Sequence, residues 1–399
     1  MSGLELGPGS VIGVVGAGAM GAGIAQVAAS SGHAVILADA SAAAVARAKD
    51  GHVQIMARLI EKGRLTRAEA DATLSRITYL DGVGAESLRA FKPCALVIEA
   101  IIEDLDAKRG LFSALEAVVA DHCVLATNTS SLSVAALAGG CTLPERVIGI
   151  HFFNPAPVMP LVEIVPAITT ASAVALAARA LVDAWGKTTV VATDTPGFIV
   201  NRVARPFYGE ALRILEEHLA DTATIDWAMR EIGGFRMGPF ALMDFIGNDV
   251  NFAVTSSVFE AMFYDPRYRP ALTQRRLVEA GLLGRKAKRG YYDYRDGAAA
   301  PAPTKDPVLG RTIVDRIVAM LINEAVDAVQ LRIASPADLE LAMTQGVNYP
   351  RGLLSWGDAL GPGAVLATLE SLQAEYGEDR YRPSPLLRRV ALAGGRLLP

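Results

Sequence analysis

The chain has 399 residues, 51% of them hydrophobic and 20% charged, with a formal net charge of −4. That length suggests roughly two or three domains with ample apolar material to bury, which excludes global disorder. The acidic balance argues against a nucleic-acid partner but leaves room for a small anionic ligand held by local basic residues.

The cysteines Cys94, Cys123 and Cys141 are scattered and form no CxxC pair. They suggest neither a disulfide framework nor a metal site, and fit a reducing, cytoplasmic setting. Between Leu6 and Ala38 no formally charged residue occurs, a length that could suggest a membrane helix. Eight glycines between positions 7 and 32, with Gln26, Ser30 and Ser31, argue against it, and only Glu5 precedes the run where a signal peptide would carry positive charge. No membrane association is expected; the stretch reads as a buried strand, a glycine turn and a buried helix.

In chain order, Val11–Val15, Ala34–Ala38, Ala95–Glu99, Val124–Thr127 and Val147–Gly149 are predicted strands, with Val162–Val165 and Thr188–Ala192 near the edge. Residues 19–31, 42–62, 105–121 and 131–138 are predicted helices. Continuous apolar strands alternating with helices imply an α/β, doubly wound parallel sheet. From Phe198 to about Leu283 the pattern is helical, with Pro206 expected to bend the first helix. Asp296–Pro307, rich in alanine and proline, reads as a linker. The expected domains are therefore 1–193, 194–295 and 308–399, with 296–307 joining the last two.

The last domain repeats the one before it. Phe198–Gly247 aligns with Thr312–Gly361 at a constant offset of 114 without a gap, with twelve identities including Arg202/Arg316, Glu210/Glu324, Gly238/Gly352, Asp244/Asp358 and Gly247/Gly361. Coincidence in an alanine-rich chain accounts for the alanine matches, but not for these.

Gly16-Ala17-Gly18-Ala19-Met20-Gly21 follows the first strand and opens a helix. A lone GxGxxG is weak evidence. In this position the glycines permit a tight turn, close approach of a pyrophosphate and close helix packing, with helix N–H groups aimed at the phosphates. Asp39 ends the next strand 18 residues beyond Gly21. A carboxylate there accepts from ribose hydroxyls and repels a 2′-phosphate, favouring NAD. The alternative is a glycine-rich packing turn with Asp39 merely capping the next helix, and the motif's position between strand and helix favours the dinucleotide.

Four more segments stand out: Asn128-Thr129-Ser130-Ser131, His151-Phe152-Phe153-Asn154-Pro155, Leu161-Val162-Glu163 and Asp194 to Arg202, "DTPGFIVNR". With the glycine motif, they make the chain resemble the 3-hydroxyacyl-CoA dehydrogenase family from Val11 to Tyr294. The resemblance implies a Rossmann-type NAD-binding domain followed by two all-α, 6-phosphogluconate-dehydrogenase-like helical domains. Alcohol oxidation needs a base, and histidine titrates in the right range. Of five histidines, His151 alone ends a strand in the half with the glycine motif. By resemblance Glu163 orients it. Ser130 and Asn201 contact the substrate oxygen and nicotinamide region, placing the site between domains. Glu103, Lys108, Asn154 and Lys286 contact NAD, and Lys62 binds CoA phosphates. Lys286 departs from the family's Lys-Thr-Gly pattern, with Ala287 and Lys288 in the last two places. Taken singly, His151 would be a satisfied core residue, Glu163 an exposed strand residue, Asn201 a surface amide, and the basic cluster of Arg58, Lys62, Arg64 and Arg67 a solvated face.

The second helical copy places Asp315 at Asn201 and Thr312 at Phe198, and has no histidine–glutamate pair of its own. It reads as non-catalytic. Single-copy members dimerise through the helical domain, so the resemblance implies that the fused copy covers that face, while a homodimer of the whole chain stays open. "GVNYPRGLLSWGDALG" and "YGEDRYRPSPLLRR" resemble the tandem-domain 3-hydroxybutyryl-CoA and 3-hydroxyadipyl-CoA dehydrogenases. No hydratase module is expected before residue 11. The expected activity is oxidation of a short-chain (S)-3-hydroxyacyl-CoA by NAD. The competing readings are a free hydroxy-acid dehydrogenase, which would use lysine as its acid–base group, and a non-catalytic, crystallin-like NAD-binding protein.

Overall fold

A computed structural model describes residues 6–398. The chain divides into two compact units, one ending at Thr195 and one beginning at Pro196.

The first unit is built on one eight-stranded sheet in the order β3-β2-β1-β4-β5-β6-β7-β8. The strands are β1 (Val11–Val15), β2 (Val35–Asp39), β3 (Ile77–Asp81), β4 (Cys94–Glu99), β5 (Val124–Thr127), β6 (Val147–Phe152), β7 (Leu161–Pro166) and β8 (Thr188–Val191). β4, β5 and β6 are buried throughout or nearly so, as expected where helices cover both faces of a parallel sheet. β3 was not evident from sequence: of its five residues only Ile77 is buried, so it lacks the apolar run that marks its neighbours. The pairing is parallel except between β6 and β7. The eight residues 153–160 between those two strands are too few for a crossover helix, so the chain must reverse. That reversal sets the geometry of the site below.

The second unit is helical. Residues 198–216 and 312–330 are the matched first segments of the two copies, and they differ. In the first copy the helix is broken into Val200–Val203 and Arg205–Glu216, with Pro206 in the opening turn of the second piece. The expected bend is thus a full break. The second copy carries Met320 in place of Pro206 and runs as one helix, Pro307–Gln330, buried almost all round from Ile313 to Ala328. The segment 296–306 has no helix or strand and ends in Asp306, whose carboxylate caps the N–H groups of Val308 and Leu309.

The two copies match in detail. Each has a π-helical turn, Ala228–Ile232 and Ala342–Gly346. Asp226 accepts from the N–H groups of Phe240 and Ala241, and Glu340 accepts from those of Leu354 and Ser355. They also grip each other reciprocally. Glu324 receives Arg202 Nε at 2.6 Å, together with Arg267 and the Tyr268 hydroxyl. Glu210 receives Arg316 Nε at 3.0 Å, together with Arg380 and the Tyr381 hydroxyl. Among the described residues no helix is long and apolar enough to cross a membrane.

Candidate active site

His151 lies on β6 and Glu163 on β7, and the antiparallel register sets them directly opposite each other. Cross-strand partners stand side by side on one face of a sheet. Here that brings His151 Nδ1 to 2.7 Å from Glu163 Oε2. Glu163 is fully buried and His151 is 5% exposed, so water does not screen the pair. A carboxylate on Nδ1 assigns the imidazole hydrogen to that nitrogen and leaves the lone pair on Nε2. The arrangement can take a proton at Nε2 while the carboxylate stabilises the resulting imidazolium. His52 shows the contrast: its two ring nitrogens are bound by the Tyr79 hydroxyl at 2.7 Å and the Ala22 carbonyl at 2.8 Å, and burial lowers its pKa. It is a satisfied core histidine.

Ser130 sits on the loop after β5. Asn128 Oδ1 accepts from the Phe152 N–H at 2.8 Å, which ties this loop to β6 beside His151. Glu103 holds the other side, accepting from the Ser130 N–H at 3.1 Å and from the Thr129 and Ser131 hydroxyls. Glu103 in turn meets Lys108 Nζ at 3.1 Å, and Lys108 is clamped by Glu99 at 2.6 Å. Partial burial pulls the Glu103 pKa up, but the Lys108 charge and the hydroxyl donors prevail and hold it below the usual carboxylate value. Glu99 is fully buried, and its second oxygen accepts from the Thr127 hydroxyl at 2.7 Å. Lys108 therefore acts on the loop through Glu103, and Glu99 is a site residue that sequence reasoning missed. Its one sequence signal was a carboxylate at the buried end of a strand, nine residues before a lysine.

The glycine turn has the geometry its sequence promises. Gly16 has φ +108°, and a Cβ there would collide with the Ala100 carbonyl; one on Gly21 would collide with the Gly16 carbonyl. Gly18 faces open space, and the helix Ala19–Ser30 that it opens receives no side-chain cap. Its first N–H groups suit a phosphate. Asp39, at the end of β2, is fixed by the N–H groups of Ala17 at 2.7 Å and Ser41 at 2.8 Å. A cavity of about 630 Å³ is lined by Gly18 and Ala19 of this turn, by Arg47 and Ile55 of the helix Ala42–Glu61, and by Asn154. An open Gly18 at an uncapped helix start, with a carboxylate at the next strand end, fits a dinucleotide. Lys62 directly follows that helix and is exposed, as are Arg58, Arg64 and Arg67.

The second unit carries Asn201 and Lys286. Asn201 is half-buried on the short helix Val200–Val203, after a turn in which Gly197 and Phe198 both have positive φ. Asp194, at the start of the same motif, belongs to the first unit, where it caps Val134 and Ala135. Lys286 pairs with Asp249 at 2.6 Å. Lys288 adopts φ +56°, so the turn keeps a glycine-like conformation at the place where the family pattern has glycine. Among the described residues no group of three or more His, Cys, Asp or Glu side chains is placed to hold a metal. Burial raises the pKa of all three cysteine thiols, that of Cys141 to about 11, which makes them poor nucleophiles.

Comparison with known proteins identifies the family. The NAD-binding domain of 3-hydroxyacyl-CoA dehydrogenases matches residues 11–195. The C-terminal domain of the same family matches twice, at 197–294 and 313–396, so the second helical copy is recognised independently. The chain is 40% identical to the 3-hydroxyadipyl-CoA dehydrogenase of Escherichia coli K12, over 96% of this chain and 97% of that protein. It is 42% identical to the 3-hydroxybutyryl-CoA dehydrogenase of Bradyrhizobium diazoefficiens, over 74% of this chain and 98% of that one. The crystal structure of a 3-hydroxybutyryl-CoA dehydrogenase from Escherichia coli K12 matches with a TM-score of 0.91 at 39% identity, covering 98% of this chain and 99% of that one.

Proposed function

Because the chain belongs to the 3-hydroxyacyl-CoA dehydrogenase family of NAD-dependent oxidoreductases, we propose that it oxidises the 3-hydroxyl of a short-chain (S)-3-hydroxyacyl-CoA, with His151 as general base. The buried His151–Glu163 pair carries this reading. NAD, when bound, supplies the hydride acceptor. His151 Nε2 takes the hydroxyl proton, and Glu163 stabilises the imidazolium. Ser130, on the loop braced by Glu103, and Asn201 hold the substrate oxygen.

For the cofactor, Gly16, Gly18, Ala19, Met20 and Gly21 cradle the pyrophosphate and Asp39 takes the ribose hydroxyls. Glu103, Lys108, Asn154 and Lys286 support the rest, Lys108 by way of Glu103. Lys62 draws the CoA phosphates, with the dipole of its helix opposing and its three arginine neighbours assisting. 3-Hydroxybutyryl-CoA and 3-hydroxyadipyl-CoA, named for the relatives, are the leading substrates.

The direct test is NADH-linked reduction of acetoacetyl-CoA beside free acetoacetate. Turnover of the thioester with the free acid inert supports the reading. His151→Ala should lower kcat by about 10²–10⁴-fold, the usual worth of a positioned acid–base group, with circular dichroism unchanged. A variant that turns over at the wild-type rate removes His151 from the chemistry.

The reciprocal Arg–Glu contacts support a second element of the proposal: the fused copy serves as the internal counterpart of a dimer partner. Deleting Thr304–Pro399 strips Arg202 of Glu324 and Asp327 and uncovers the apolar face against the helix Pro307–Gln330. The shortened chain should dimerise or aggregate in sedimentation, and a soluble monomer would count against this role.

A further inference from the structure

Five arginines are buried among the described residues: Arg146, Arg202, Arg205, Arg316 and Arg380. Four of them meet a carboxylate, namely Glu116, Glu324, Glu210 and Glu210 again. Arg205 meets none. Its Nε donates to the Asn201 carbonyl at 2.7 Å and its Nη1 to the Thr255 hydroxyl at 3.0 Å, both neutral acceptors, and the Tyr208 ring lies 5.0 Å from Cζ. Among the described residues Nη2 has no acceptor. Tyr349 lies close enough to interact electrostatically with this guanidinium, and its hydroxyl is buried without a hydrogen-bond partner. Burial pulls the Arg205 pKa below the usual guanidinium value, with only the two tyrosines opposing.

An uncompensated buried charge is costly, and a fold keeps one where an anion arrives to meet it. From this geometry we infer that Arg205 receives a carboxylate at the far end of the acyl group, so that the preferred substrate is a dicarboxylic 3-hydroxyacyl thioester. The inference rests on the dehydrogenase reading above and deepens it. Distance favours the acyl end. Arg205 lies beside Asn201, its Nε bonded to the Asn201 carbonyl at 2.7 Å, and Asn201 in that reading holds the reacting oxygen. In a six-carbon dicarboxylic thioester, three bonds of ~1.5 Å each separate the carbinol carbon from the distal carboxyl carbon. The CoA phosphates are a poorer match, since they have their own cations around Lys62 in the first unit. The planar fork of Nη1 and Nη2 suits a carboxylate. The second copy, which lacks the catalytic asparagine, carries Ala319 at the equivalent position, so the cation accompanies the chemistry rather than the scaffold.

The experiment compares kcat/KM for 3-oxoadipyl-CoA and 3-oxohexanoyl-CoA, equal in length and differing in the terminal carboxylate. The wild-type enzyme should favour the charged thioester by about 100-fold or more, as expected where a buried polar site rejects a ligand lacking its partner. Arg205→Leu should reduce that ratio by about 100-fold, and Arg205→Lys should restore part of it. If Arg205→Leu does not fold, the wild-type ratio still decides, together with competitive inhibition by adipyl-CoA against hexanoyl-CoA. A wild-type ratio at or below one, or a ratio unmoved in folded Arg205→Leu while 3-oxohexanoyl-CoA is turned over, overturns the Arg205 assignment and leaves the dehydrogenase reading intact. Absence of turnover with these thioesters and with acetoacetyl-CoA overturns both.

Discussion

The two helical copies began as the same sequence, and they have diverged unevenly. Residues that join one copy to the other are kept: Arg202 matches Arg316, Glu210 matches Glu324, and each arginine reaches the other copy's glutamate. Residues that the proposed function assigns to chemistry are kept only in the first copy. Asn201 aligns with Asp315, Arg205 with Ala319, and Pro206, which breaks the first helix next to these residues, with Met320 in an unbroken one. Packing constrains both copies because each buries the other. In the proposed function, chemistry constrains only the first copy. A duplicated domain thus separates the residues needed for assembly from those needed for function, without any alignment of relatives.

The sharpest way to break this comparison is at the reciprocal pairs. Arg202→Leu leaves Glu324 short of its strongest partner, and Arg316→Leu does the same to Glu210. Removing one member of a buried ion pair costs about 3–5 kcal/mol. Both variants should lose stability in that range and agree within about 1 kcal/mol in urea unfolding of the helical unit. A large loss for one and none for the other would show that the two contacts are not equivalent.

Next in size is the asymmetry at the matched polar position. Asn201→Ala should lower kcat/KM by about 10–100-fold, the worth of one hydrogen bond to developing charge. Asp315→Ala should stay within about twofold of wild type. Burial raises the Asp315 pKa against the opposing charge of Arg311, so its removal should if anything stabilise. Equal losses in the two variants would place the second copy in the chemistry after all.

Some of this was legible in the sequence, for physical reasons that can be named. The glycine turn and the buried central strands announce themselves because backbone strain and two-sided burial leave few residue choices. The repeat was visible because its identities fall at one constant offset. β3 was hidden, since an edge strand with one buried residue carries no apolar run, and the helix Ser172–Ala184 was likewise not anticipated. The reversal at β7 was readable in principle from the eight-residue connection. It is also what turns His151 and Glu163, twelve residues apart, into facing neighbours. The partners of Arg202 and the missing partner of Arg205 were not readable: one lies 122 residues away, and the other is an absence that only packing reveals.

The smallest predicted difference concerns the helix starts at Gly238 and Gly352. In the second copy the longer Glu340 reaches the N–H groups of Leu354 and Ser355. In the first, Asp226 does this work from a more enclosed position, 6% exposed, with the Tyr292 hydroxyl as a third donor at 2.8 Å. Burial pushes the Asp226 pKa up to about 6, against the lowering effect of its hydrogen bonds and with some help from nearby Asp244. The unfolded chain releases this proton near pH 4, whereas the folded protein holds it to about pH 6. Between those values the native state binds more protons, so its stability falls as pH rises, by at most about 1.4 kcal/mol per pH unit from this one group. Asp226→Asn keeps an acceptor for the helix start and removes the titration. Relative to wild type, its urea midpoint should therefore rise between pH 4 and pH 6, and the two curves should run parallel above pH 7. Parallel curves across the whole range would mean that Asp226 is ionised in the folded protein throughout, and that its three donors outweigh its burial.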